Sequence, residues 1–217
     1  MDAKQTQQLI DLARVAGDAI LDIYRSDFDV QNKSDDSPLT QADLAAHRVI
    51  SETLATLTPD IPVLSEESVP PEFSVRKGWD RYWLVDPLDG TKEFVNKNGE
   101  FTVNIALIEG GEPVFGVVGV PVTGEVYVGD VQAGEAFCDL AGERRPLQGR
   151  KAQTDAPLVV VASRSHGSER LESFITEVGQ QFQGPVTPMP VKPISAPQPL
   201  MSSFSAVQLG SADVLMP

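Results

Sequence analysis

Between residues 101 and 147 the chain is a succession of short β-rich runs punctuated by glycine turns. No other stretch constrains the fold as strongly. Runs at 101–108, 114–120 and 125–128 are rich in valine and isoleucine, and a further strand–turn–strand spans 134–147. Gly110-Gly111-Glu112-Pro113 and Val122-Thr123-Gly124 separate them as hairpin turns. Connections this short join antiparallel neighbours, because a parallel pair needs a crossover of a dozen or more residues. Two helices are expected ahead of this region. Leu9, Ile10, Ala13, Ala16, Ile20, Leu21 and Tyr24 recur at helical spacing over 6–24, and Leu44, Val49, Ile50 and Leu54 mark a second helix over 41–57. A polar loop, 31–38, lies between them. Short strands are expected at 61–64 and 82–85. After the β region come a strand at 158–162 and a helix at 168–178. Helices first, then a mostly antiparallel sheet, then a return to strand–helix alternation describe a layered α+β architecture.

Residues 184–199 hold six of the 17 prolines and are excluded from a regular helix or a central strand. Residues 202–216 have room for one short amphipathic element. The 217-residue length suits one well-buried domain or two small ones, and the division expected is 1–155 and 156–217.

Charge narrows the partners. The net charge of -14 leaves no basic stripe for a nucleic-acid polymer. A small anionic substrate is still compatible, provided metal cations stand between it and the protein. No apolar run approaches the roughly 20 residues of a membrane span. The N-terminus lacks the basic-then-apolar order of a signal peptide, so a cytoplasmic protein is expected. Cys138, the single cysteine, reads as a small core residue.

The segment Asp86-Pro87-Leu88-Asp89-Gly90-Thr91 carries the chemistry. Two carboxylates three residues apart at a strand end can face one space, with Pro87 fixing the turn and Gly90 allowing close backbone approach. Carboxylates, carbonyls and water suit Mg²⁺. Glu66 and Glu67 follow another expected strand end and extend the acidic set. Taken alone, Asp-Pro-x-Asp-Gly is an ordinary turn and Glu-Glu a solvated surface. Thr40-Gln41-Ala42-Asp43 has the form of a helix-start signal, which makes Asp43 a cap before it makes it a catalyst. His47 carries no motif and reads as structural or exposed.

Three ordered elements together change this picture. Trp83 to Phe94 resembles the W-x-x-D-P-x-D-G-T signature of the inositol monophosphatase superfamily. Leu64-Ser65-Glu66-Glu67-Ser68 resembles its upstream E-E-S element, and Leu39-Thr40-Gln41-Ala42-Asp43 its V-T-x-x-D element. Gly90-Thr91-Lys92-Glu93-Phe94, followed by the Asn98–Ile108 wording, is similar to the CysQ-like 3'(2'),5'-bisphosphate nucleotidases within that superfamily. The match covers roughly residues 5–170.

The resemblance implies a layered αβαβα sandwich of the inositol monophosphatase/fructose-1,6-bisphosphatase type. It implies hydrolysis of 3'-phosphoadenosine 5'-phosphate to AMP and phosphate in sulfur metabolism, with two or three Mg²⁺ ions. Glu66, Asp86 and the Leu88 carbonyl would hold the first cation, and Asp86 and Asp89 the second. Gly90 and Thr91 would present N–H groups to the phosphate, while Asp43 and Thr91 would orient and deprotonate water. Ser163 and His166, in an S-R-S-H stretch, would contact the nucleotide; a surface helix-start role for His166 stands beside that reading. A homodimer and a peripheral inner-membrane location are further implications, though the net charge opposes attraction to anionic lipid.

The family pattern continues with G-S-x-x-K, A-D-x-Y-P-R and W-D-x-A-A elements. Here Gly210-Ser211-Ala212-Asp213 resembles the start of the middle one, and no Trp-Asp pair follows. The expectation is a C-terminally truncated or frame-altered chain with its C-terminal part incomplete, one carboxylate short at the second metal, and reduced or absent activity. The alternatives are an inositol or sugar phosphatase of the same superfamily, and a non-catalytic metal- or nucleotide-binding remnant.

Overall fold

The computed structural model describes residues 1–26, 38–149, 158–162, 169, 173–177 and 186–190. The chain divides into two compact units, Met1–Leu147 and Gln148–Pro217. Expectations for the loop at 31–37, for Ser163 and His166, and for 202–216 lie outside the described residues.

Helix α1, Ala3–Tyr24, begins three residues before the apolar periodicity does, because Asp2 and Gln5 form a capping box. The Asp2 carboxylate accepts from the Gln5 amide at 2.7 Å, and the Gln5 side chain accepts from the Asp2 amide at 3.2 Å. Its apolar stripe, from Leu9 to Leu21, is buried as its spacing predicts. Helix α2, Pro38–Leu57, also starts earlier than expected. Its buried face is Ala42, Ala46, Ile50 and Leu54, a strict i, i+4 row, while Leu44 is exposed. Small alanines in that row let α2 lie close to its neighbours.

The sheet of this unit has seven strands in chain order. These are β1 Val63–Ser65, β2 Arg81–Asp89, β3 Thr102–Glu109, β4 Glu112–Val120, β5 Glu125–Asp130, β6 Glu135–Leu140 and β7 Glu143–Pro146. Only β1 and β2 run parallel; every later pair is antiparallel, as the short turns require. Two short helices, α3 Phe73–Arg76 and α4 Thr91–Val95, were not apparent from periodicity, because one turn is too short to show a period.

One sheet face is the core. Trp83 and Val85 of β2 stand opposite Leu107 and Ile105 of β3, which stand opposite Phe115 and Val117 of β4, and all are buried. Helices α1 and α2 cover this face, α1 over β3–β5 and α2 over β1 and β2. Contact is close enough that a Cβ on Gly119 would lie 3.3 Å from the Ala13 side chain. Trp83 also donates from Nε1 to the Thr58 hydroxyl at 2.8 Å, satisfying its only polar group. Cys138 is buried, in keeping with a core role.

In the second unit, β8 Leu158–Ala162 pairs in parallel with β9 Val186–Pro190. Strand β9 falls inside the proline-rich stretch. Prolines 188 and 190 are tolerated because, among the described residues, β9 has one neighbouring strand and its other edge donates nothing to a ladder. Helical residues at 169 and 173–177 match the helix expected at 168–178.

Candidate active site

The site gathers where β1 and β2 end side by side. Strand β1 stops at Ser65, and the ladder continues one step through Glu66, whose amide donates to the Val85 carbonyl at 3.1 Å. Glu66 and Glu67 therefore leave the sheet directly beside Asp86.

A bulge decides what β2 presents. In a regular strand residues 86 and 89 point to opposite faces. Here Asp86 pairs with Asn104 and Asp89 pairs with Thr102, so β2 spends three residues where β3 spends two. The extra residue turns Leu88 into the core, where it is 2% exposed. It also brings Asp89 round to the face that carries Asp86, Asn104 and Thr102. Both carboxylates consequently face the same side of the strand.

Asp86 is the most perturbed group. Burial first, then the charges of Asp89 and Glu66 and more distantly Asp43, push its carboxyl up to about 8. Its Oδ1 is buried and accepts no hydrogen bond from any protein group. A buried acceptor without a donor is costly, and a cation would satisfy it. Among the described residues no group of three or more His, Cys, Asp or Glu side chains is placed so as to hold a metal ion as it stands. Asp86, Asp89, Glu66 and the Leu88 carbonyl, the ligands that the resemblance implies, offer only oxygen, the chemistry of a hard divalent ion.

Asp43 lies in the second turn of α2 because the helix begins at Pro38. It is therefore not the cap its local sequence suggests. Its residue is 7% exposed, and burial followed by the charges of Glu67 and Glu66 raises its carboxyl to about 7. A group held near neutrality is suited to taking a proton from water. His47, one turn further along α2, hydrogen-bonds through Nδ1 with the Ser65 hydroxyl at 2.8 Å. This fits its structural reading, since it ties α2 to the strand end that delivers Glu66.

Gly90 and Thr91 open α4. Gly90 has φ +100°, and a Cβ there would sit 2.9 Å from the Glu100 carbonyl oxygen. Only glycine suits that backbone. Thr91 is exposed at the first helical position, where its N–H has no acceptor within the helix. Beneath this turn Phe94 and Phe101 pack with Tyr24 of α1, the ring centroids 4.9–5.5 Å apart. The cluster fixes the turn against the first helix.

Asn104 and Thr102 stand beside Asp89, although the sequence does not mark them as site residues. Asn104 donates from Nδ2 to Asp89 Oδ2 at 3.0 Å, and the Thr102 hydroxyl donates to Asn104 Oδ1 at 3.0 Å. The available signal was an asparagine between Val103 and Ile105, a residue type depleted in strands.

Comparison with known proteins places this geometry. The inositol monophosphatase family model matches residues 2–201. The 3'(2'),5'-bisphosphate nucleotidase CysQ of Salmonella typhimurium strain LT2 is 53% identical over 176 residues, covering 80% of this chain and 69% of that protein. The protein of the same name from Escherichia coli K12 is 51% identical over 175 residues, again covering 80% and 69%. The crystal structure of CysQ from Bacteroides thetaiotaomicron, described as a bacterial member of the inositol monophosphatase family, superposes with a TM-score of 0.73. It is 37% identical, over 85% of this chain and 71% of that one. Its mixed seven-stranded sheet with helices, its carboxylate-bearing strand ends and this match over most of its length agree: the chain belongs to the inositol monophosphatase family.

Proposed function

We propose that this protein is a metal-dependent phosphomonoesterase, a 3'(2'),5'-bisphosphate nucleotidase that hydrolyses 3'-phosphoadenosine 5'-phosphate to AMP and phosphate. Relatives about half identical over four fifths of the chain bear that nucleotidase name, and a role in sulfur metabolism fits it. The observation that carries the reading is the buried, unpartnered Oδ1 of Asp86, flanked by Asp89, Glu66 and Asp43 at one strand end. These groups repel one another unless a cation separates them, and an anionic phosphate would be repelled without one.

In this reading the cation is Mg²⁺, held by Glu66, Asp86 and the Leu88 carbonyl at one position and by Asp86 and Asp89 at a second. Bound there, divalent cations neutralise phosphoryl oxygens and acidify a water molecule. The protein's own groups do the rest. Asp43, with its carboxyl near 7, accepts the proton of the attacking water, and the Thr91 hydroxyl orients that water. The Gly90 and Thr91 amides hold the phosphate. Water adds at phosphorus, the ester P–O bond breaks, and the 3' oxygen leaves with the bonding electron pair and takes up a proton from solvent. Ser163 and His166 are proposed to contact the nucleotide; they lie outside the described residues. Among the described residues no helix is long and apolar enough to cross a membrane.

The test is phosphate release from 3'-phosphoadenosine 5'-phosphate with and without Mg²⁺, beside inositol 1-phosphate. Mg²⁺-dependent release from the nucleotide is expected. Faster release from inositol 1-phosphate would overturn the nucleotidase assignment and leave a phosphatase of the same family.

A further inference from the structure

We propose that Asn104, oriented by Thr102, is a positioning residue that fixes the Asp89 carboxylate for cation binding; this rests on the reading of the site given above. Asp89 is exposed at the very end of β2, where a carboxylate would otherwise sample several rotamers. The bulge between Asp86 and Asp89 sets Asp89 opposite Thr102 and diagonal to Asn104. A single amide thereby reaches one carboxylate oxygen at 3.0 Å and leaves the rest of the group for other contacts.

The amide's orientation follows from chemistry. A carboxylate only accepts, so Asn104 must turn its Nδ2 toward Asp89. That leaves Oδ1 facing back along β3, where it accepts the Thr102 hydroxyl at 3.0 Å. Thr102 has a branched Cβ with few rotamers in a strand, so its hydroxyl is a stiff anchor. The result is a relay of hydroxyl, amide and carboxylate running from the first residue of β3 to the end of β2. Asp86 has no comparable protein partner on its Oδ1. The two carboxylates thus differ, one held by burial and the other by an oriented donor. Partners of this kind set ligand geometry, and losing one typically weakens metal affinity about tenfold or more.

The experiment titrates the full chain with Mn²⁺, followed by electron paramagnetic resonance, and records melting in chelator alongside. Asn104→Ala, Thr102→Val, Thr102→Ser and Asp89→Ala are compared with the parent. The parent should bind, and Asp89→Ala should lose the weaker class of site, the position proposed to have only Asp86 and Asp89 as protein ligands. Asn104→Ala should weaken that class about tenfold while the tighter class is unchanged. Thr102→Val should weaken it less, and Thr102→Ser, which keeps the hydroxyl, should match the parent. Parent-like binding by Asn104→Ala while Asp89→Ala loses a site would overturn the inference alone. Equal losses in Thr102→Val and Thr102→Ser would remove Thr102 from it. No binding by the parent, or parent-like binding by Asp89→Ala, would overturn the reading of the site and this inference together.

Discussion

Replacing Asp86 with Asn should stabilise the protein when divalent cations are removed, at the cost of the site. The folded carboxyl sits at about 8 against an ordinary value of 3.8. A raised folded value means that the native state holds its proton more tightly than the unfolded chain does. Its stability contribution is therefore complete below the unfolded value and is lost as pH climbs toward the folded one. At pH 8 in chelator the native state carries most of that loss. A shift of this size is worth about 6 kcal/mol, but part of it comes from Asp89 and Glu66, whose side chains are exposed and screened by water. A gain of about 2 kcal/mol for Asp86→Asn is the reasonable expectation. For a unit of this size that raises the melting midpoint by about 4–8 °C at pH 8. The gap should narrow at pH 6, where the parent's carboxyl is protonated. Adding Mg²⁺ should reverse the order, since the parent gains cation binding that the variant has lost. Differential scanning fluorimetry at the two pH values, with chelator and with Mg²⁺, measures all four states. An Asp86→Asn protein that melts at or below the parent in chelator at both pH values would refute the reasoning.

Asp43→Asn should lower kcat by about 10²–10⁴ while cation binding persists, because in the proposed mechanism Asp43 accepts a proton and is not a ligand; steady-state kinetics with a Mn²⁺ titration separates the two. Gly90→Ala should destabilise by about 1–3 kcal/mol, from the positive φ and the 2.9 Å approach of Glu100 oxygen, read by urea unfolding. Asp139 is fully buried. Burial pushes its carboxyl up, but Arg14 at 2.5 Å, the Gly142 amide and Arg144 outweigh it and hold it below the ordinary carboxylate range. Its contribution is complete above about pH 4 and drains away as pH falls through the lowered value. Asp139→Ala should cost about 1–3 kcal/mol near neutrality, because it removes the hydrogen bonds from Arg14 and the Gly142 amide while Arg14, partly exposed, keeps Asp11 at 3.8 Å, and should flatten the acid limb of a stability–pH curve.

Much of the architecture was written locally. The strands from Thr102 to Pro146 follow β-rich runs broken by glycines at positive φ, such as Gly110, Gly111 and Gly124, and each turn fixes its neighbours' pairing. Helix α1 was legible from its stripe of Leu9, Ile10, Ala13 and Ala16, which needs only a period. The Asp86–Thr91 segment and Glu66 announced their chemistry by residue type and order. What the sequence could not say is which side of a strand a carboxylate faces. Alternation puts Asp86 and Asp89 on opposite sides, and only pairing with β3 creates the bulge that unites them and buries Leu88. Asp43 reads as a helix cap until the helix is seen to start at Pro38, and its elevated carboxyl depends first on burial and then on Glu67 and Glu66, more than 20 residues away. Asn104 and Thr102 became site residues for the same reason. Local sequence determines which elements form, because dihedral preference and periodicity act within a few residues. Tertiary structure decides which charges meet, because burial and Coulomb energy depend on distances that only the packed fold sets.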